Sequence, residues 1–134
     1  MPEYLLDTNA FSEIISPRGI MTRNRFRRLP IGTIGISSIT RAEFEYGMAL
    51  NPEASGKARA AAVLFEQIDV LSWTSETALI YGKLRAEMRR RGNALGSLDM
   101  LIAAQALEAG AILVTSDQAF RYVPGLRIED WREP

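Results

Sequence analysis

Two acidic residues in this sequence follow short apolar runs at points where a folded chain could use them for chemistry. Asp7 comes directly after the apolar run 4–6, and Asp117 follows the run 112–114. If these runs are parallel strands, both acids lie at carboxyl ends of strands, where open α/β sheets place their ligands. Each could instead be a helix N-cap, a role that Asp often fills. The pattern nominates both as site residues and leaves capping open as the alternative.

Two further acids lie on apolar faces of predicted helices. The first is Glu43, whose neighbours at helical spacing are Ile39, Tyr46, Gly47 and Leu50. The second is Asp99, whose neighbours are Ile102, Ala103 and Ala106. A carboxylate facing the core needs a specific role, because its burial is costly unless it is paired. Asp99 could also simply stabilise the dipole of its helix start. Glu45, by contrast, falls four residues after Arg41 and is predicted to form an exposed ion pair.

Four carboxylates held close together would repel one another and raise each other's pKa values. A divalent cation removes this conflict, and hard oxygen ligands suit Mg²⁺ or Mn²⁺. Such a site can activate water and neutralise the charge that builds on a phosphodiester during in-line attack. The four acids therefore predict phosphodiester hydrolysis, with either one or two metal ions.

The rest of the composition narrows the chemistry further. The chain contains no Cys and no His, which excludes disulfides, thiolate nucleophiles, imidazole zinc sites and a histidine general base. Fourteen of the sixteen basic residues are Arg, which suits forked contacts with phosphate. Two Arg clusters, at 23–28 and 85–91, could position a nucleic-acid backbone. Each could equally be a solvated helix face with ion pairs.

Short strands and helices would position these acids. Apolar runs predict strands at 4–6, 34–36, 70–71, 112–114 and 126–128, and amphipathic patterns predict a helix through Phe11 to Ile15 and others at 39–50, 58–68, 74–91 and 97–109. The alternation predicts an α/β fold around a mainly parallel sheet. The 134 residues fit one domain spanning 1–134. No apolar segment is long enough for a membrane span, and the start lacks a signal-peptide pattern, so we expect a cytoplasmic protein.

Five segments in this order resemble the PIN-domain ribonucleases, and among them the VapC toxins of prokaryotic type II toxin-antitoxin systems. They are Leu-Leu-Asp-Thr-Asn ending at Asn9, the run from Ile36 to Gly47, the run from Leu98 to Ala106, Leu113 to Phe120, and Val123 to Trp131. Each segment alone is a weak signal, but their order and spacing together are specific and span nearly the whole chain. The resemblance implies a PIN-like parallel sheet with helices on both faces.

The resemblance also implies roles for individual residues. Asp7, Glu43 and Asp99 would form the catalytic and metal-binding acidic set, with Asp117 as its fourth and more variable member. Thr8 and Thr115 match hydroxyl positions near the family's site. Ser116 departs from the family, whose members often carry Asn before the last acid, and this concerns the hydrogen bonding around Asp117.

The resemblance also implies a cofactor, a substrate and partners. The cofactor is Mg²⁺, and the substrate is an RNA such as transfer or ribosomal RNA, whose cleavage would inhibit growth. The partners are a second copy of the chain, in a homodimer, and a cognate VapB antitoxin that blocks the site. Operator DNA would be contacted only indirectly, through the antitoxin. The cluster Arg89 to Arg91 could meet RNA, the antitoxin or solvent.

Two other functions compete with this reading. Receiver domains and haloacid-dehalogenase phosphatases also place Asp at strand ends with Mg²⁺, and they use an Asp as phosphoryl acceptor. The phosphatase pattern would need a second Asp two residues after the first, but this chain has Asn9. The second rival is a PIN scaffold that only binds. It would be favoured by loss of Asp7, Glu43 or Asp99, and all three are present.

Overall fold

The chain folds around a five-stranded sheet, which the computed structural model describes for residues 1–133. The strands are β1 (Tyr4–Leu6), β2 (Ile34–Ser37), β3 (Asp69–Leu71), β4 (Ile112–Val114) and β5 (Ile128–Glu129). Their order in the sheet is β3-β2-β1-β4-β5, and every neighbouring pair is parallel. The predicted α/β fold is confirmed.

Helices connect the strands and cover both faces of the sheet. They are α1 (Thr8–Ile15), α2 (Ile20–Arg27), α3 (Ser38–Leu50), α4 (Ser55–Phe65), α5 (Ser75–Arg90) and α6 (Ser97–Ala109), with a 3₁₀ turn over Gln118–Tyr122. Within residues 1–133 no helix combines the length and the apolar character that a membrane crossing would require.

Alternation along the strands divides the core in two, because successive side chains of a strand point to opposite faces. Leu5 and Leu113 are fully buried together with apolar residues of α5 and α6. Leu6 and Ile36 are fully buried on the other face, together with apolar residues of α1 and α4. The sheet is therefore covered on both sides, as its continuous apolar strands require.

Helix ends follow local chemistry. Thr74 caps α5, and its side chain accepts a hydrogen bond from the amide of Thr77. Gly110 ends α6 in the left-handed conformation with φ of 63°, which glycine adopts without steric cost. Both ends agree with the sequence-based prediction.

One helix was not predicted from the sequence. The segment 20–27 forms α2, although we identified it only as an Arg cluster. It doubles back on α1 so tightly at Gly19 that a Cβ atom there would lie 1.8 Å from the carbonyl oxygen of Glu13. Smaller errors concern α4, predicted at 58–68, and β5, predicted at 126–128.

Candidate active site

The candidate site lies at the carboxyl ends of β1 and β4, at the place where the strand order reverses. β1 pairs with β2 on one side and with β4 on the other. The amide of Asp7 donates to the carbonyl of Val114 at 3.0 Å, so the two strand ends are directly joined. Open α/β sheets bind ligands in the crevice at such a reversal.

Asp7 is the most buried acid of the site, with 3% of its surface exposed. Its Oδ1 atom caps α1 by accepting from the amide of Ala10 at 2.8 Å. Burial raises its pKa to about 6, while hydrogen bonds from Thr115 and Ala10 oppose the rise, and the charges of Asp99 and Glu13 add to it. Asp7 therefore is a helix N-cap, as the alternative interpretation predicted. Capping does not explain why this carboxyl is buried among other acids.

Thr115 connects Asp7 to Asp117. The Thr115 hydroxyl is buried and accepts from the amide of Asp117 at 3.0 Å, which leaves its proton for the Asp7 carboxylate. Asp117 is half-buried and caps the 3₁₀ turn by accepting from the amide of Ala119 at 2.9 Å. One hydroxyl thus fixes two of the four predicted acids relative to each other.

Glu43 reaches the site from α3. Its Oε1 atom accepts a hydrogen bond from the Thr8 hydroxyl at 2.9 Å, which places it beside the start of α1 and therefore beside Asp7. The predicted apolar face of α3 is partly wrong, because Tyr46 and Leu50 are each 68% exposed. Thr40 is the one residue of α3 that is fully buried, so half-burial of Glu43 comes from its contact with α1 rather than from the core.

Asp99 lies between the other acids. It is half-buried in the first turn of α6, and the helix face formed by Ile102, Ala103 and Ala106 is completely buried, as predicted. Burial raises the pKa of Asp99, and the charges of Asp117 and Glu43 raise it further. A carboxylate placed only to stabilise a helix start would instead be favoured in its charged form.

The fold thus places all four predicted acids close enough for their charges to interact. Asp99 is the common member, because its pKa is raised by Asp117 and Glu43 and its charge raises the pKa of Asp7. None of the four forms an ion pair with Arg or Lys within residues 1–133. In the same residues no three carboxylates lie close enough together to hold a metal ion by themselves. Mg²⁺ is commonly held by one or two carboxylates together with water and substrate phosphates. An open set of hard oxygen donors that repel one another therefore fits a divalent cation.

Other predicted charges have partners of their own. Arg41 donates to Glu45 at 2.7 Å in the predicted exposed ion pair. In the second Arg cluster, Arg91 donates to Glu87 at 2.7 Å, and Arg90 lies 3.9 Å from the same carboxylate. These pairs agree with the solvated-face alternative for part of that cluster.

The sequence analysis missed Glu13. This residue of α1 raises the pKa of Asp7 through its charge, and its Oε2 atom accepts from the buried hydroxyl of Thr22 at 2.8 Å. Its proximity to Asp7 comes from α1, which Asp7 caps, whereas its side chain is oriented by Thr22 of α2. Because α2 was not predicted, no signal in the sequence distinguished Glu13 from a surface glutamate.

Comparison with known proteins places this geometry in context. The family model described as PIN domain matches residues 4–126. The tRNA(fMet)-specific endonuclease VapC of Salmonella typhimurium is 33% identical over 132 residues, which cover 98% of this chain and 99% of that protein. Ribonuclease VapC2 of Rickettsia felis is 30% identical over 130 residues, covering 96% and 97% of the two chains.

Solved structures show the same likeness. A structure of VapBC2 from Rickettsia felis bound to a DNA fragment from its promoter superposes with a TM-score of 0.87 at 29% identity, over 94% of this chain and 96% of that one. DNA-bound VapBC from Salmonella typhimurium gives a TM-score of 0.83 at 33% identity, over 98% and 99%.

Proposed function

Since the chain belongs to the PIN domain family, and within it to the VapC group, we propose that it is a Mg²⁺-dependent endoribonuclease. It hydrolyses phosphodiester bonds of RNA and acts as the toxin of a VapBC toxin-antitoxin system. The observation that carries this proposal is the convergence of Asp7, Glu43 and Asp117 on Asp99, with no ion pair from Arg or Lys to any of the four among residues 1–133.

The four acids would hold the divalent cation. When bound, such an ion neutralises charge on the phosphodiester and lowers the pKa of water, with Mn²⁺ able to substitute for Mg²⁺. Thr8 fixes the orientation of Glu43, and Thr115 fixes that of Asp7 and Asp117. These contacts preorganise the carboxylates, so that less free energy is needed to order them when cation and RNA bind.

Open geometry at the site suits a polymer substrate. Asp99, Glu43 and Asp117 remain partly exposed, whereas Asp7 is buried beneath them. An exposed rim of acids allows an RNA strand to approach with its phosphate toward the cation. The names of the curated relatives support RNA as the substrate, and the tRNA(fMet)-specific relative makes transfer RNA the first candidate, with ribosomal RNA as the second.

We further propose that the chain forms a homodimer and binds a VapB-type antitoxin that blocks the site. The VapBC complexes among its structural relatives support the antitoxin, and the homodimer follows from the family resemblance alone. Expression of the chain alone should then inhibit translation and growth, and co-expression with the adjacent small open reading frame should relieve the inhibition. Harmless expression of a protein that cleaves RNA in vitro would contradict the toxin role and leave the nuclease role standing.

The nuclease role is tested by mapping RNA 5′ ends. Purified protein is incubated with total transfer and ribosomal RNA in Mg²⁺ or in EDTA, and the new 5′ ends are sequenced. We expect Mg²⁺-dependent ends at defined positions in the wild type and none with Asp7→Asn. Equal cleavage by the wild type and this variant would contradict the proposal, because cleavage would then not depend on the acidic site.

A further inference from the structure

A hollow of about 410 Å³ opens between α1 and the segment that leads to Asp117. It is lined by Asn9, Ser12, Glu13, Ser16, Ser116 and Arg132. Three of these residues, Asn9, Ser12 and Glu13, belong to α1, which Asp7 caps, and Ser116 directly precedes Asp117. A group bound in the hollow would therefore lie next to any phosphate held at the acids. The volume is within the range of small-ligand sites.

The charges in the hollow disfavour a phosphate. Arg132 donates from Nε to Oδ1 and from Nη2 to Oδ2 of Asp130, at 3.2 and 3.0 Å. Glu13, fixed by the Thr22 hydroxyl, contributes a second carboxylate. Two acids around one guanidinium would repel a phosphate. They suit a neutral group that carries both hydrogen-bond donors and acceptors on one edge, because Glu13 can accept and Arg132 can donate.

An apolar wall continues from this polar edge. A neighbouring groove of about 630 Å³ shares Glu13, Ser16 and Arg132 with the hollow, and it is also lined by Ile20 and Met21. These two apolar side chains are 56% and 46% exposed. The combined surface thus offers hydrogen-bonding groups in the hollow and an exposed apolar contact in the adjoining groove, which Arg18 also lines.

We propose that this hollow binds an unstacked nucleobase of the RNA, the one adjacent to the phosphate that is cut. The base edge contacts Glu13 and Arg132, with Asn9 as a further polar contact, and the base face lies toward Ile20 and Met21. Single-stranded RNA is commonly recognised in this way, through exposed base edges and contacts with base faces. The inference rests on the proposed ribonuclease function and adds a base preference next to the cut.

The test is a cleavage assay with four RNA oligonucleotides that differ only in the base on one side of the cut, and a second set for the other side. The wild type should prefer some bases at one of the two positions. Glu13→Gln and Arg132→Gln should each reduce that preference, measured as a ratio of kcat/KM values, by about tenfold. A ratio is informative here, because a purely structural defect slows all four substrates alike.

Matched controls carry the same charge changes elsewhere. Glu45→Gln alters an exposed acid on α3, and Arg127→Gln alters an exposed arginine that donates to the Gly110 carbonyl at the amino ends of β4 and β5, the opposite strand ends from Asp7 and Asp117. Both should keep the wild-type preference. If Arg132→Gln does not fold, the exposed Asn9→Ala replaces it, again with a reduced preference expected.

Two results would overturn the inference while the wild type still cuts RNA. The first is a wild type without base preference on either side of the cut, and the second is an unchanged preference in Glu13→Gln and Asn9→Ala. The second result is also what we would find if the hollow held a segment of a protein partner. Absence of any cleavage by the wild type would instead contradict the proposed function and, with it, the base contact.

Discussion

The surroundings of the carboxylates shift their pKa values in opposite directions in two regions of this molecule. In the terminal segment 128–132, each acid has a cationic partner: Glu129 pairs with Arg25 at 3.2 Å, and Arg132 lowers the pKa of Asp130. At the carboxyl ends of β1 and β4, burial and neighbouring acids raise the pKa values of Asp7 and Asp99. The same residue type is stabilised in its charged form in one region and destabilised in the other.

This difference indicates that the candidate site is not built for stability. Repulsion among acids costs free energy of folding unless a bound cation offsets it. Clusters of titratable groups with perturbed pKa values are typical of functional sites. The terminal segment provides the internal standard, because it shows that this chain has Arg available to neutralise acids elsewhere.

Removing an acid from the site should have the largest effect. Asp7→Asn, Glu43→Gln and Asp99→Asn each delete a charge without creating a cavity, so RNA cleavage should fall by at least about 100-fold while the circular dichroism spectrum stays unchanged. Cleavage is measured as kcat/KM on one mapped RNA. Full activity of folded Asp99→Asn would remove Asp99 from the site.

The dependence of metal-free stability on pH should show the next effect. The pKa of Asp7 is about 6 in the fold, against 3.8 for the free residue. A raised pKa favours the protonated folded state, so this carboxyl costs nothing below about pH 4 and opposes folding as the pH rises toward 6. We expect the free energy of unfolding in EDTA to fall by about 2 to 3 kcal/mol over that interval.

Asp7→Asn is the control for this titration. Asn caps helices as well as Asp does, so the hydrogen bond to Ala10 can persist, but the side chain cannot ionise. The variant should lose the decrease between pH 4 and 6. A wild type whose stability is flat or increases over that interval would show that the buried carboxyl is neutralised by something other than a metal.

Loss of the Thr8 hydroxyl should have a smaller effect. Thr8→Val removes the 2.9 Å hydrogen bond that orients Glu43 and keeps the size of the side chain. Supporting contacts of this kind change metal affinity by about tenfold or more. Isothermal titration with Mn²⁺ measures the affinity, and Thr8→Ser, which keeps the hydroxyl, should restore it. Equal affinity in Thr8→Val and wild type would mean that Glu43 needs no such support.

The smallest effect is expected at Glu45. It is two residues from Glu43 in the same helix, but it forms an exposed ion pair with Arg41. Glu45→Gln should change the free energy of unfolding by less than about 0.5 kcal/mol and leave cleavage unaltered. A large loss of cleavage in this variant would show that the two glutamates of α3 have been assigned the wrong way round.

Much of this contrast could be predicted from the sequence. Strands β1 and β4 are continuous apolar runs followed by an acid, so position made Asp7 and Asp117 candidates while helix capping stayed open, and the family resemblance then assigned them to the site. Asp99 was identified because its helix neighbours are apolar and buried. Local patterns of this kind predict an element well when it is buried on one side, since burial of one face requires apolar residues at the regular spacing of a helix or strand.

Features that depend on tertiary contacts could not be predicted. Glu43 was assigned from an apolar face that is in fact exposed at Tyr46 and Leu50, and it is held at the site by Thr8 instead. Helix α2 carries five polar or charged residues among its eight, so it has no clear apolar periodicity. Without α2, the contact between Thr22 and Glu13 had no signal in the sequence.

We propose that the four acids form a divalent cation site, in which the bound ion offsets their mutual repulsion. The most direct test is the free energy of unfolding of wild type and Asp99→Asn at pH 7, each in EDTA and in Mg²⁺. In the wild type, Mg²⁺ at 100 times its Kd should add about 2.7 kcal/mol. Asp99→Asn should be more stable than wild type in EDTA and should respond less to Mg²⁺. A variant that is less stable in EDTA and responds to Mg²⁺ as the wild type does would contradict the claim, because an aspartate that only stabilises a helix start gives that result.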